Sequence, residues 1–285
     1  MRELCAEDKV AKSEMTIMKF NPFAILVPTM LVGEKRFVSG SGTAYTDGYN
    51  VTYFNEFVDT LCVPETVYLV LHETGHKFLQ HMFTGQGLFA KSPDLANQSA
   101  DYVVNGWIHK LDPNQKVAKR IEGALFDEKY LGWSIFEVFR DLKKEQEEQP
   151  PQGGQGQDKG KGQGQGGGDG QGQDNGQGQQ GSGVGNPQPL DDHGWGEASK
   201  TLGDSEKANK QRKAIEEAVR QGSMMSKNHV DPNDRKNLVD EATEIRVRWD
   251  EVLKEFMVNS MTGMDDQTFE TVDKRYIAVD IYGGR

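Results

Sequence analysis

The segment His72-Glu73-Thr74-Gly75-His76 constrains this chain more than any other feature of its sequence. An HExxH pattern on a helix lets two imidazoles bind one metal ion while the glutamate handles a water molecule. Residues four apart differ by about 40° around a helix axis, so His72 and His76 project from one face and can share an ion. The pattern therefore predicts His72 and His76 as metal ligands and Glu73 as a catalytic carboxylate beside them.

The residues around the motif favour a long buried helix, predicted over residues 64–83. Proline suits the first turn of a helix, an acidic residue such as Glu65 suits the positive end of its dipole, and the two glycines just beyond residue 83 suit its end. Apolar residues occupy most faces before the motif, which is typical of a helix inside a core. The alternative is that the two histidines are ordinary core residues bonded to backbone groups.

A catalytic zinc needs a third protein ligand and one open position for water. His81 lies five residues beyond His76, and a continuing helix would rotate it about 140° away from the metal face. The remaining histidines, His109, His193 and His229, stand alone in the sequence. The sequence therefore favours a third ligand of another residue type.

The segment 95–108 has the pattern of a second amphipathic helix, on which Asn97, Asp101 and Asn105 recur at four-residue spacing. Three short polar side chains on one stripe of an apolar helix are unexpected for plain packing, because each needs a partner if it is buried. A metal site explains them: Asp101 is the predicted third ligand, while Asn97 and Asn105 orient the carboxylate or the imidazoles. The alternative is a solvated helix face.

These patterns resemble a known family, the putative metallopeptidase domain of bacterial and phage proteins that often carry a von Willebrand A-like domain at the C-terminus. The resemblance spans about residues 10–145 and resumes more weakly at 249–275. It implies an α+β, zincin-like fold, mostly helical with a small sheet before the HExxH helix, and zinc on His72, His76 and Asp101. It implies no particular substrate. The segments that carry it are 72–76, Asn97-x-x-x-Asp101-Tyr102-x-x-Asn105, Lys19–Phe23, Thr46-Asp47-Gly48, Tyr53-Phe54-Asn55 and Gly132–Val138.

A β-hairpin is predicted immediately before the motif helix. Residues 42–46 and 50–54 are rich in β-branched and aromatic side chains, and they flank Asp47-Gly48, a strong signal for a tight turn. In a zincin-like arrangement a strand at the edge of the sheet lines the cleft, and an extended peptide can add to it by backbone hydrogen bonds. The hairpin therefore suits a peptide or protein substrate.

Two functions are compatible with the predicted site. In the first, the chain is a zinc-dependent metallopeptidase in which Glu73 accepts a proton from a metal-activated water and passes it to the leaving amine. In the second, it is a non-catalytic zinc-binding scaffold or interaction module that works with a partner such as an ATPase or a von Willebrand A-type protein. Glu73 favours the peptidase, because a structural zinc does not need it.

Composition divides the 285-residue chain into three parts. Residues 149–189 are almost entirely glycine and glutamine, so they cannot bury enough apolar surface to offset their ordering entropy and are predicted to be a disordered linker. Residues 1–148 are the predicted metallopeptidase domain. Residues 190–285 are predicted to be helical, over 203–222, 233–243 and 246–259, and to pack back on the first domain. No DxSxS signature follows, so we expect the chain to end before any von Willebrand A-like domain.

Charge and cysteine usage narrow the expected setting. A net charge of −11 and a pI near 5.1 argue against nucleic acid as the main partner. The apolar run 23–32 is short and contains Pro28, so it resembles neither a membrane span nor a secretion signal. Cys5 and Cys62 provide no disulfide framework. We expect a cytoplasmic protein, in a bacterium or in a phage-infected host.

Overall fold

Helices form most of the described chain, and one small sheet lies against the helix that carries the motif. The computed structural model describes residues 4–148 and 205–243, so the predicted linker, the segment 190–204 and the predicted helix 246–259 lie outside the described residues. The fold is mostly helical with a three-stranded mixed sheet, which confirms the expected α+β class. Within the described ranges no helix is both long and apolar enough to cross a membrane.

The helices are listed here in chain order. They are α1 (Ala6–Lys19), α2 (Val27–Met30), α3 (Asn55–Thr60), α4 (Val63–Phe78), α5 (His81–Thr84), α6 (Gln86–Lys91), α7 (Pro93–Leu111), α8 (Ile135–Glu148), α9 (Ser205–Met225) and α10 (Pro232–Thr243), with short 3₁₀ helices at Asn21–Ile25 and Glu128–Tyr130.

The sheet has three short strands in the order β1-β3-β2, namely β1 (Lys35–Val38), β2 (Ala44–Thr46) and β3 (Val51–Phe54). β2 and β3 are antiparallel, with Thr46 opposite Val51, and they form the predicted hairpin around Asp47-Gly48. The Asp47 carboxylate closes the turn by accepting hydrogen bonds from the backbone N–H groups of Tyr49 and Asn50. β1 pairs in parallel with β3, a pairing that no local pattern indicates.

Helix α4 is the centre of the core, since every residue from Thr66 to Phe78 is buried. Helices α1, α2 and α7 and strand β2 pack around it. Helices α4 and α7 approach each other tightly at Gly75, where a Cβ atom would lie 2.6 Å from Val104 Cγ1. Glycine within the motif therefore lets the two helices that carry the predicted ligands come together.

Helices α9 and α10 also pack on this core. α9 crosses the 3₁₀ helix Asn21–Ile25 so closely that a Cβ atom on Gly222 would lie 2.0 Å from the Ile25 carbonyl oxygen. α10 is joined to the body by an ion pair between Lys110 and Asp234, at 2.6 Å. The division of the chain at residues 148 and 189 stays a prediction.

The motif helix is shorter than predicted. It ends at Phe78, not near residue 83, because Gln80 adopts a left-handed conformation with φ of 54° and starts the separate helix α5. The Gln80 side chain donates a buried hydrogen bond of 2.7 Å to the carbonyl oxygen of Ala242. Because this partner is 162 residues away in the chain, helical periodicity could not reveal the break.

Candidate metal centre

The first turn of α4 sets the register of the motif. The Glu65 carboxylate accepts a hydrogen bond from the Cys62 N–H at 3.0 Å, which satisfies an otherwise unpaired donor at the helix start. The same carboxylate forms an ion pair with Lys119 at 2.7 Å. The Lys119 ammonium and the Cys62 N–H lower the pKa of Glu65 to about 2. Glu65 is therefore charged at neutral pH, as the positive end of the helix dipole favours.

Three donor atoms from α4 and α7 converge in the core. His72 Nε2 and His76 Nε2 are 3.0 Å apart, and Asp101 Oδ1 lies 3.6 Å from the first and 3.5 Å from the second. A point equidistant from the three atoms is about 2.0 Å from each, which matches the length of a bond from zinc to nitrogen or oxygen. The three residues are at most 5% exposed. The cluster fits a small divalent metal ion.

The orientation of His72 is held by Asn105. Its Nδ1 lies 2.8 Å from Asn105 Oδ1, and Asn105 Nδ2 donates a 2.7 Å hydrogen bond to the carbonyl oxygen of Leu125. The Leu125 carbonyl accepts only from the amide nitrogen, so the amide oxygen faces the histidine. His72 Nδ1 must then carry the proton, and His72 Nε2 presents its lone pair to the cluster.

A second histidine supports His76 in the same way. His81 Nδ1 lies 3.2 Å from His76 Nδ1, and both residues are buried. A proton on His76 Nδ1 that is donated to His81 leaves His76 Nε2 with its lone pair facing the cluster. The expectation that His81 points away from His76 was wrong. The helix ends at Phe78, and the left-handed backbone of Gln80 redirects the chain so that His81 contacts His76. His81 is not one of the three clustered donors.

The polar stripe on α7 is buried along its whole length. Asn97 is 5% exposed, Asp101 1% and Asn105 2%, so the alternative of a solvated helix face does not apply. Asp101 Oδ1 is one of the three clustered donor atoms, and Asn105 is hydrogen-bonded to His72, while its orienting role stays a prediction. Asn97 lies one turn before Asp101 on the same helix, and its role in orienting the carboxylate stays a prediction.

Glu73 is fully buried beside the two histidines. The pKa of Tyr53 in β3 is raised well above its ordinary value. Burial of Tyr53 is the largest cause, and the negative charge of Glu73 is the next. Lys77, one turn later, is 1% exposed and donates a hydrogen bond to the carbonyl oxygen of Val32. Burial, followed by the nearby Lys35, lowers the pKa of Lys77 to about 8, and Glu73 is among the carboxylates that oppose this shift. Glu73 therefore lies among ionisable groups of the core, while its role as a base stays a prediction.

Comparison with known proteins gives one match. A family model described as a putative metallopeptidase domain matches residues 7–285, which is nearly the whole chain. Searches among curated proteins and among solved structures found no match. The matched range contains both ligand-bearing helices and also α9 and α10.

Proposed function

We propose that this chain, which belongs to the family described as a putative metallopeptidase domain, is a zinc-dependent peptidase. We also propose that its fold has a zincin-like arrangement. The observation that carries the proposal is the triangle of His72 Nε2, His76 Nε2 and Asp101 Oδ1, with edges of 3.0 to 3.6 Å. Glu73 follows the first of these ligands directly in the chain. The family model matches residues 7–285, and the metal, the reaction and the base are our proposal.

The donor set supports zinc as the metal. Two imidazole nitrogens and one carboxylate oxygen form the ligand set of many catalytic zinc sites, where the fourth position is left to water or substrate. When bound, such an ion lowers the pKa of a water molecule toward neutrality and polarises a carbonyl group. The protons on His72 Nδ1 and His76 Nδ1, directed at Asn105 and His81, would keep both ligand nitrogens unprotonated.

In the proposed reaction Glu73 moves the proton. It accepts a proton from the attacking water as the new C–O bond forms at the scissile carbonyl carbon. It then delivers this proton to the amine nitrogen as the C–N bond breaks, so the carboxylate is regenerated.

The sheet supports a peptide as the substrate class. β2 is an outer strand of the three-stranded sheet and packs against α4, the helix that carries His72 and Glu73. An extended peptide that adds beside β2 by backbone hydrogen bonds would run past the donor cluster.

One observation favours a second candidate, a structural metal site in a non-catalytic interaction module. His76 and Glu73 are 0% exposed and Asp101 is 1% exposed, so these side chains of the centre are shielded from solvent. A structural zinc has a closed set of four protein ligands, whereas a catalytic zinc keeps one position open. In this candidate the module would work with a partner such as an ATPase, and Glu73 would have no role in chemistry.

The test uses the full chain, stripped of metal and exposed again to zinc. We expect one zinc per chain by elemental analysis, and cleavage of members of a peptide library by the zinc-loaded protein. Glu73→Gln should retain the zinc and lose cleavage, whereas His72→Ala should lose both. Absence of stoichiometric zinc uptake would contradict the metal site. Cleavage by Glu73→Gln at the wild-type rate would contradict only the role of Glu73.

A further inference from the structure

One buried hydroxyl beside the metal centre is left unexplained by the proposed reaction. Tyr68 lies one turn before His72 on α4, so it shares the helix face of the two histidines. Its ring is stacked on the His72 ring, with centroids 6.4 Å apart and planes 21° apart. The side chain is buried at 4% exposure, and its hydroxyl makes no hydrogen bond with any residue that the structure describes.

A buried hydroxyl of this kind is unusual in a folded protein. Leaving such a group without a partner costs free energy, and most buried polar side chains are therefore hydrogen-bonded. Phenylalanine would fill the same space without that cost. The hydroxyl at Tyr68 thus points to a partner other than the residues that the structure describes.

A small cavity lies next to the Tyr68 side chain. Tyr68, His72 and Asn105 line it together with Thr43, which directly precedes the outer strand β2. Its volume of about 10 Å³ is close to the room that one water-sized atom requires. The cavity is therefore lined both by α4 and by the residue that leads into β2.

The other polar groups of the cavity wall already have partners. Asn105 uses its amide oxygen for His72 Nδ1 and its amide nitrogen for the Leu125 carbonyl. The Thr43 hydroxyl donates a 3.4 Å hydrogen bond to the Ala44 carbonyl, and the remaining lining side chains, Leu69, Ile121 and Ala124, are apolar. A phenol is protonated at neutral pH, so Tyr68 is a hydrogen-bond donor for an oxygen atom that enters the cavity.

We propose that Tyr68 is a further substrate-binding residue of this centre, whose hydroxyl donates a hydrogen bond to a carbonyl oxygen of the ligand beside His72. This inference rests on the proposed function, since it assigns a binding contact to the same site. It specifies the ligand class as carbonyl compounds that place one oxygen atom in the cavity. A donor in such a position stabilises negative charge that develops on that oxygen during attack by water.

The test uses the full chain loaded with Co²⁺, whose visible absorption reports the metal environment, and acetohydroxamate as a small carbonyl probe. We expect Tyr68→Phe to weaken acetohydroxamate binding about fivefold, the value of one neutral hydrogen bond, with Co²⁺ affinity and the probe-free spectrum unchanged. The metal-free Tyr68→Phe protein should melt at the same temperature as wild type or higher. Tyr130→Phe is the matched control: its hydroxyl donates to Asp141 at 3.1 Å, so its loss should lower the melting temperature and leave the probe affinity unchanged.

Each other outcome counts against the proposal. Equal acetohydroxamate affinity of wild type and Tyr68→Phe would overturn the role of Tyr68 and leave the proposed function standing. A lower melting temperature for metal-free Tyr68→Phe would show that the hydroxyl has a partner within the chain. A changed Co²⁺ spectrum in the variant would mean that Tyr68 shapes the metal site instead of binding the ligand. Wild-type protein that binds no Co²⁺ would contradict the proposed function together with this inference.

Discussion

His76 and His81 face each other through their Nδ1 atoms at 3.2 Å, although a straight helix would place them about 140° apart. Between them, α4 ends at Phe78 and the backbone of Gln80 adopts a left-handed conformation that redirects the chain. The His76 ring therefore has a neighbour that the spacing of the motif alone would exclude. His81 holds the ring of a predicted ligand, as carboxylates and carbonyls do in many metal sites.

Removal of His81 should weaken metal binding without abolishing it. We expect His81→Ala to reduce zinc affinity about 10-fold to 100-fold, because His76 loses the group that fixes its ring and its proton. Competition with a chromophoric chelator measures the change. The control is His109→Ala, since His109 packs on Phe126 away from the cluster, and it should leave zinc affinity unchanged. Equal affinities for His81→Ala and wild type would contradict the orienting role.

The two hydrogen bonds of Asn105 can be separated by substitution. Asn105→Asp retains an oxygen that accepts from His72 Nδ1, whereas Asn105→Leu removes the acceptor and the donor to Leu125. We expect Asn105→Leu to lower zinc affinity by at least about tenfold, and Asn105→Asp to lower it less. The same chelator competition gives both values. Equal losses would mean that the bond to His72 is not what Asn105 contributes.

Gly75 is required by helix packing and not by metal chemistry. A Cβ atom there would lie 2.6 Å from Val104 Cγ1, so we expect Gly75→Ala to destabilise the protein by about 1–3 kcal/mol through overpacking. Chemical denaturation of the metal-free protein measures the free energy of unfolding. The double variant Gly75→Ala/Val104→Ala should recover part of this loss, because the clashing methyl group is removed. Additive losses in the double variant would argue against the clash.

Lys77 should make stability depend on pH in alkaline solution. Its pKa is about 8 in the folded protein and 10.5 as the ordinary value, so between these pH values the unfolded state binds more protons. The buried charge of Lys77 lowers the free energy of unfolding by on the order of 3 kcal/mol at pH values below 8. This loss becomes smaller as the pH rises from 8 toward 10.5. The free energy of unfolding gained by Lys77→Met should therefore be larger at pH 7 than at pH 10. The exposed control Lys12→Met should show no such difference, and a pH-independent gain for Lys77→Met would contradict the lowered pKa.

Local sequence patterns predicted the parts of the site that lie within single elements. The four-residue spacing of His72 and His76, and of Asn97, Asp101 and Asn105, settles which side chains share a face of α4 and of α7, because helix geometry is the same wherever the helix lies. The Asp47-Gly48 turn likewise predicted the hairpin from local chemistry. These features depend on neighbours in the chain.

The tertiary structure decided everything that depends on distant residues. The approach of Asp101 Oδ1 to both histidines requires α7 to lie against α4 at Gly75, and the direction of the Asn105 amide depends on the Leu125 carbonyl. The end of α4 at Phe78, and with it the contact of His81 with His76, accompanies the bond between Gln80 and Ala242. Sequence spacing determined which groups could bind a metal, and long-range packing determined that they meet, because chain reversals and close approaches are set by partners far away in the chain.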